Sequence, residues 1–125
     1  MFKLPLDIKA GVPIYEQIVM ATKRALATGI LKSGDSFPSV REISRLHGVN
    51  PNTVQKAVTA LIGENILEVH PGKGTVVKEL VRPNVESLQQ AVAEKLSAII
   101  VELRMLGATK ETLHGLVNRL WKLEE

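Results

Sequence analysis

The sequence predicts a mostly α-helical chain with one small β-hairpin, and three observations predict it. Phe37 to Lys56 holds two short amphipathic helical patterns separated by Gly48, and the second opens on Asn50 and Pro51, an N-cap followed by a first-turn proline. Two β-prone runs flank the turn Pro71-Gly72-Lys73-Gly74. Beyond Pro83 the pattern changes to two long amphipathic stretches divided by Gly107.

At the N-terminus, MFKLPLDIKAGVP has two prolines, a glycine and no sustained period, so it reads as an extended arm leading to Pro13 at the head of a helix. From Ile14 to Thr28 the residues Ile14, Ile18, Ala21 and Ala25 share one side, widened by Tyr15, Thr22 and Leu26, with Glu16 and Lys23 opposite. Gly29 ends that helix. Residues 30–38 are a turn-rich connection, after which Ser39 and Glu42 stand in capping-box spacing before a helix expected to bury Val40, Ile43 and Leu46. Val49 is expected to be buried in the turn. The third helix runs to about Glu64 with Val54, Ala57, Val58 and Leu61 on its core face, and Asn65 comes next, where a positive φ is wanted. Strands are expected at Ile66 to Val69 and Thr75 to Lys78. Three helices closed by a hairpin with a basic, glycine-rich tip make a winged helix-turn-helix, expected over residues 1–78.

A linker at 79–83 contains Arg82 and Pro83, and Asn84 is a plausible cap for the fourth helix. Over 84–125, Val85, Leu88, Val92, Leu96, Ile99, Leu103 and Leu106 fall within one stripe, and Val85, Val92, Ile99 and Leu106 recur every seven residues. A last helix from about Thr109 to Leu123 carries Leu113, Leu116, Val117, Leu120 and Trp121 on one side. A helical hairpin of about 40 residues has too little chain to bury that much apolar surface by itself. The simplest cover is the same hairpin from a second copy, through Leu88, Val92, Leu96, Ile99, Leu103, Leu116, Leu120 and Trp121. These residues could also line a small-molecule pocket, but apolar stripes at helical spacing are core or interface far more often.

Composition narrows the function classes. The 45% apolar and 23% charged content is that of a soluble globular chain, and no apolar run reaches the ~18 residues of a membrane span. With no signal-peptide pattern at the N-terminus, a cytoplasmic protein is expected. The absence of cysteine rules out disulfides and thiolate metal sites, and His47, His70 and His114 are not spaced as ligands, so neither metal nor cofactor is expected. No nucleophile-base set, paired acids or nucleotide-type phosphate loop supports an enzyme. The net charge of +3 is mild, but residues 1–78 hold 10 Lys or Arg against 6 acids (+4) and residues 79–125 hold 6 against 7 (−1). The basic excess lies with the helix-turn-helix, where attraction to phosphates belongs.

Asn52, Gln55, Lys56 and Thr59 face away from the core side of the third helix, with the donors and acceptors that read base edges and phosphates in a major groove. On an anonymous helix they would be a solvated stripe; the helix-turn-helix raises them above that. Asn50 either caps the helix or touches DNA. Arg41, in the first turn of the second helix, is placed for a phosphate or guanine, and Ser39 is a cap whose hydroxyl could also meet phosphate. Lys73 between Gly72 and Gly74 suits both a tight turn and a close approach to the DNA backbone or minor groove. The competing reading is a winged helix used as a protein-docking module, for which salt dependence of DNA affinity would be flat.

PIYEQI at 13–18, GDSFPSVREIS at 34–44, VNPNTVQKAV at 49–58 and PGKGTVV at 71–77 resemble the GntR family of transcriptional regulators, and the short C-terminal helix pair points to its YtrA-like subfamily. The resemblance implies a homodimer that binds inverted-repeat operator DNA, usually as a repressor. It also implies DNA contacts at Ser39, Arg41, Asn50, Asn52, Thr53, Gln55 and Gly72 with its wing neighbours. Many relatives have arginine where this chain has Pro51 and Gln55, so base readout is expected to differ, with adenine a candidate for Asn and Gln. The operator, the regulated genes and any small-molecule effector are not legible.

Overall fold

The computed structural model describes residues 3–79 and 85–123, with side chains for 3–79 and 89–122. In order the elements are α1 (Ile14–Ala27), α2 (Val40–His47), α3 (Pro51–Gly63), β1 (Leu67–His70), β2 (Gly74–Val77), α4 (Val85–Met105) and α5 (Lys110–Leu123). The chain divides into two compact units, Met1–Leu80 and Val81–Glu125. The expected linker lies outside the described residues except for Glu79, as does the expected cap Asn84.

The first unit is a winged helix-turn-helix built on the packing of α1 against α3. α1 buries Ile18, Ala21, Thr22 and Ala25, and α3 buries Val54, Ala57, Val58 and Leu61. Both sets have the i, i+3, i+4, i+7 spacing of one helix face. The one buried polar side chain among the described residues, Thr22, donates its hydroxyl to the Ile18 carbonyl at 2.9 Å. Leu31, Phe37, Ile43, Val49, Leu67 and Val77 complete the core.

Local chemistry closes the elements where expected. Asn65 has φ of +61°; its N–H donates to the Ile62 carbonyl at 3.0 Å, and the Ile66 N–H to the Leu61 carbonyl at 2.9 Å. That is a Schellman closure of α3 carried by asparagine in place of glycine. Leu67 pairs with Val77 and His70 with Gly74 in the antiparallel wing. Each strand is displaced by one residue from the expected span, because the Ile66 N–H is spent on ending α3 and Gly74 joins the ladder.

Three features depart from the sequence reading. Leu46, expected in the core, is 54% exposed. Val40 and Leu46 lie about 60° to either side of Ile43 around an eight-residue helix. The Val40 side meets the core, and Val49, after the Gly48 turn, is buried in it. Second, the connection at 30–38 is no free loop. Its Gly34 and Phe37 N–H groups donate to Val77 and Thr75 carbonyls, the Val77 N–H donates to the Asp35 carbonyl, each at 2.9 Å, and Ser36 bridges Val76. Third, the arm is packed. Leu4 is 3% exposed within the core. Gln17 clamps the chain ahead of it, accepting from the Lys9 N–H and donating to the Lys9 and Val12 carbonyls, each at 2.8 Å.

The second unit has two helices, and none of its described side chains forms a buried core. α4 ends in a glycine closure, with Gly107 at φ +79° and the Ala108 N–H donating to the Leu103 carbonyl at 2.9 Å. The Thr109 hydroxyl then accepts from the Thr112 N–H at 3.3 Å at the head of α5. None of the described side chains in this unit is buried, and Trp121 is 71% exposed.

The arm contact separates from the α2 surface in a stability measurement. Leu4→Ala is expected to cost about 2–4 kcal/mol as a buried truncation, whereas Leu46→Ala should stay within about 0.5–1 kcal/mol. Equal shifts in urea midpoint for the two variants would contradict this assignment of the core.

Candidate nucleic-acid interface

The turn between α2 and α3 is held from both sides. Ser39 caps α2 by accepting from the Glu42 N–H at 3.1 Å. At its far end Gly48 adopts φ +64°, a left-handed conformation that L side chains rarely tolerate. The Val49 N–H donates to the Ser44 carbonyl at 3.2 Å, and the Ser44 hydroxyl donates back to the Val49 carbonyl at 2.6 Å. Asn50 then accepts from the Asn52 N–H at 2.8 Å through Oδ1, with Pro51 at the first helical position. The angle of α3 is therefore set by bonds made within about a dozen residues.

With Val54, Ala57, Val58 and Leu61 buried, helical geometry turns Asn52, Gln55, Lys56 and Thr59 outward, and all four are exposed. The structure divides the asparagines. Asn50 Oδ1 is engaged in the cap, while its amide N–H groups have no partner among the described residues. The Asn52 side chain has no partner among the described residues, so both its donors and its acceptor are available. Gln55 donates through Nε2 to the Thr59 hydroxyl at 3.3 Å, which steadies the amide and leaves Oε1 and one N–H outward. Lys56 Nζ stands 3.9 Å over the ring centroid of Tyr15. Thr53 is half-buried, while Ser39 and Arg41 are exposed at the head of α2.

On the wing, Gly72 and Gly74 both adopt φ of +82°, and the Lys73 N–H closes the turn on the His70 carbonyl at 3.0 Å. Lys73 is exposed at the tip. Beside it His70 Nε2 and Glu68 Oε1 are 2.7 Å apart, so that histidine is engaged along its own strand. Two features had no clear sequence signal. Tyr15 read only as a widening of the α1 core face, and its contact with Lys56 exists because α1 packs on α3. The backbone tie between β2 and residues 34–37 lies in a stretch with no strand-like pattern.

In the second unit the expected interface stripe is open to solvent: Val92, Leu96, Ile99, Leu120 and Trp121 are exposed, and Leu103 and Leu116 half-buried. Leu88 lies in α4, with its side chain outside the described residues. Among the described residues no cluster of His, Asp and Glu could hold a metal ion, and no helix is long and apolar enough to cross a membrane. What the first unit presents is an exposed hydrogen-bonding stripe on α3, together with exposed cations on two other elements, Arg41 on α2 and Lys73 at the wing tip.

Residues 14–77 match the family described as "Bacterial regulatory proteins, gntR family". The HTH-type transcriptional repressor YtrA of Bacillus subtilis (strain 168) is 36% identical over 118 residues, covering 94% of this chain and 91% of that protein. A crystal structure described as a transcriptional antiterminator from Listeria monocytogenes EGD-e superposes with a TM-score of 0.80 at 34% identity, over 96% of this chain and 89% of that one. The AraR DNA-binding domain in complex with operator ORR3 is also similar, with a TM-score of 0.51 at 26% identity, over 61% of this chain and 92% of that one.

The division between Asn50 and Asn52 is measurable without DNA. Asn50→Ala should cost about 1 kcal/mol by loss of the cap, while Asn52→Ala should leave thermal stability within about 0.5 kcal/mol. Destabilisation by Asn52→Ala as large as that by Asn50→Ala would show that Asn52 is a structural residue.

Proposed function

This chain belongs to the gntR family of bacterial regulatory proteins, and from that premise we propose that it is a homodimeric repressor that binds an inverted-repeat operator. It is a transcriptional regulator with a gntR-type DNA-binding domain. The observation that carries the finer reading is the two-sided α3, buried through Val54, Ala57, Val58 and Leu61 and presenting Asn52, Gln55, Lys56 and Thr59 outward on a helix whose turn is internally bonded. A helix presented in this way fits a major groove of about 12 Å width, and paired copies would place two such helices on half-sites of opposite orientation.

In this reading Asn52 and Gln55 contact base edges, and the free Oε1 and N–H of Gln55 match adenine N6 and N7. Arg41 adds a guanine or phosphate contact. Lys56 and Lys73 meet phosphates, Gly72 and Gly74 let the wing backbone come close, and Ser39, Asn50 and Thr53 flank the helix starts, where backbone N–H groups also face phosphate. The similarity to the AraR domain, whose described structure is an operator complex, supports DNA as the partner. The repressor YtrA supports the direction of regulation.

Pairing of copies is supported by the exposed apolar stripe of α4 and α5. A helix pair with Val92, Leu96, Ile99, Leu120 and Trp121 in water gains stability by covering them, and a second copy supplies a surface of matching character under a two-fold axis. A cytoplasmic location is the one that suits the DNA partner. The helix pair with its dimer contacts, residues 84–125, and the DNA-binding residues 1–78 are then separate domains joined at 79–83.

Promoter-library selection with purified protein gives the operator. Against it, Arg41→Ala and Gln55→Ala are each expected to weaken binding by about 10-fold or more, the ~1–3 kcal/mol of a lost base contact, with folding intact. Wild-type affinity in both variants would sink this readout. Salt dependence decides between DNA reader and docking module: log affinity should fall with log salt, by about 0.9 per phosphate neutralised, and a flat line would favour docking. In sedimentation, wild type should have the mass of two chains and Leu96→Asp that of one. A monomeric wild type at micromolar concentration would end the dimer proposal.

A further inference from the structure

Lysines on recognition helices are ordinarily mobile, and ordering one at a phosphate opposes binding through lost rotamer freedom. Lys56 is held before DNA arrives. Its Nζ lies 3.9 Å from the Tyr15 ring centroid, well inside the ~6 Å reach of a cation–π contact. The ring is itself anchored: Tyr15 is half-buried, packed against the core in the first turn of α1, and its hydroxyl donates to Glu16 Oε1 at 3.3 Å. α1 packs on α3 through Ile18, Ala21, Thr22 and Ala25 against Val54, Ala57, Val58 and Leu61, and Lys23 Nζ meets Glu64 Oε1 at 3.0 Å at the far end of α3.

The chemistry of the partner matters. Lys23 is held by a carboxylate, which a phosphate would have to displace. No carboxylate pairs with Lys56 among the described residues. A ring face attracts the ammonium while leaving the N–H donors on the side away from the ring for phosphate oxygens. We propose that Tyr15 is a positioning residue for DNA binding, holding the Lys56 ammonium ready for a backbone phosphate. This rests on the reading of Lys56 as a phosphate contact. Tyr15 acts through Lys56 and contributes to affinity without setting sequence preference.

The test uses the full chain and a fluorescein-labelled mixed-sequence duplex, because phosphate contacts are made on any sequence. Tyr15→Leu is expected to raise Kd by about two- to fivefold per recognition helix with the salt slope unchanged, since Lys56 still reaches phosphate but must be ordered first. Tyr15→Phe keeps the ring face and should bind as wild type. Lys56→Gln should weaken binding and lower the slope by about 0.9 per helix. On the Lys56→Gln background Tyr15→Leu should add nothing.

If Tyr15→Leu weakens binding equally on both backgrounds, Tyr15 acts only through packing and the proposal is overturned while the Lys56 reading stands. Unchanged or tighter binding by Tyr15→Leu, alongside a weakened Lys56→Gln, overturns it equally. If Lys56→Gln itself leaves Kd and slope unchanged, the phosphate reading fails, and the positioning role fails with it.

Discussion

The first unit depends on the seating of α3 against α1. Val54, Ala57, Val58 and Leu61 are buried on the face made by Ile18, Ala21, Thr22 and Ala25, and that burial removes from α3 the freedom to rotate about its axis. Which side chains α3 presents outward is a consequence. A rotation of one residue's angle, about 100°, would bring an apolar residue into the stripe now held by Asn52, Gln55 and Lys56, and a polar one into the core. A functional side chain on a helix surface needs a fixed backbone beneath it, and here the packing of α3 on α1 supplies it.

The same economy extends to the wing. β2 pairs with β1 on one side and with residues 34–37 on the other, so a hairpin that would be marginal by itself gains a third partner. Leu67 and Val77 pin its base into the core, and the polar tip with Lys73 is left in solvent. The stretch that ties down β2 continues through the buried Phe37 into Ser39, the cap of α2. One segment therefore braces the wing and starts the helix that carries Arg41, coupling two parts of the candidate interface through short covalent distance and three backbone bonds.

The two units have opposite balances of surface and core. The first buries a contiguous cluster from Leu4 to Val77; the second, among its described residues, buries nothing, although its helices are properly ended by Gly107 and headed by Thr109. Helix termination is local chemistry and succeeds without a partner. Burial is not local, and two helices of this length leave their stripes in water unless something covers them.

Much of this protein was legible in the sequence, for a physical reason: helix periodicity, caps and left-handed positions act over a few residues. The core faces of α1 and α3, the Ser39 and Asn50 caps, the positive φ of Asn65 and the glycine-rich wing tip all obey local rules, and the outward stripe of α3 is fixed by its inward one. The motifs at 13–18, 34–44, 49–58 and 71–77 pointed to the family by the same short-range information. Tertiary structure decided what short range cannot. Leu46 has the spacing of a core residue yet faces solvent, because only one flank of a short helix meets the core. Leu4 sits in an aperiodic arm yet is buried, and Tyr15 meets Lys56 across two helices far apart in the chain. Each outcome depends on which surfaces the fold brings together, and no pattern within a few residues of these positions records it.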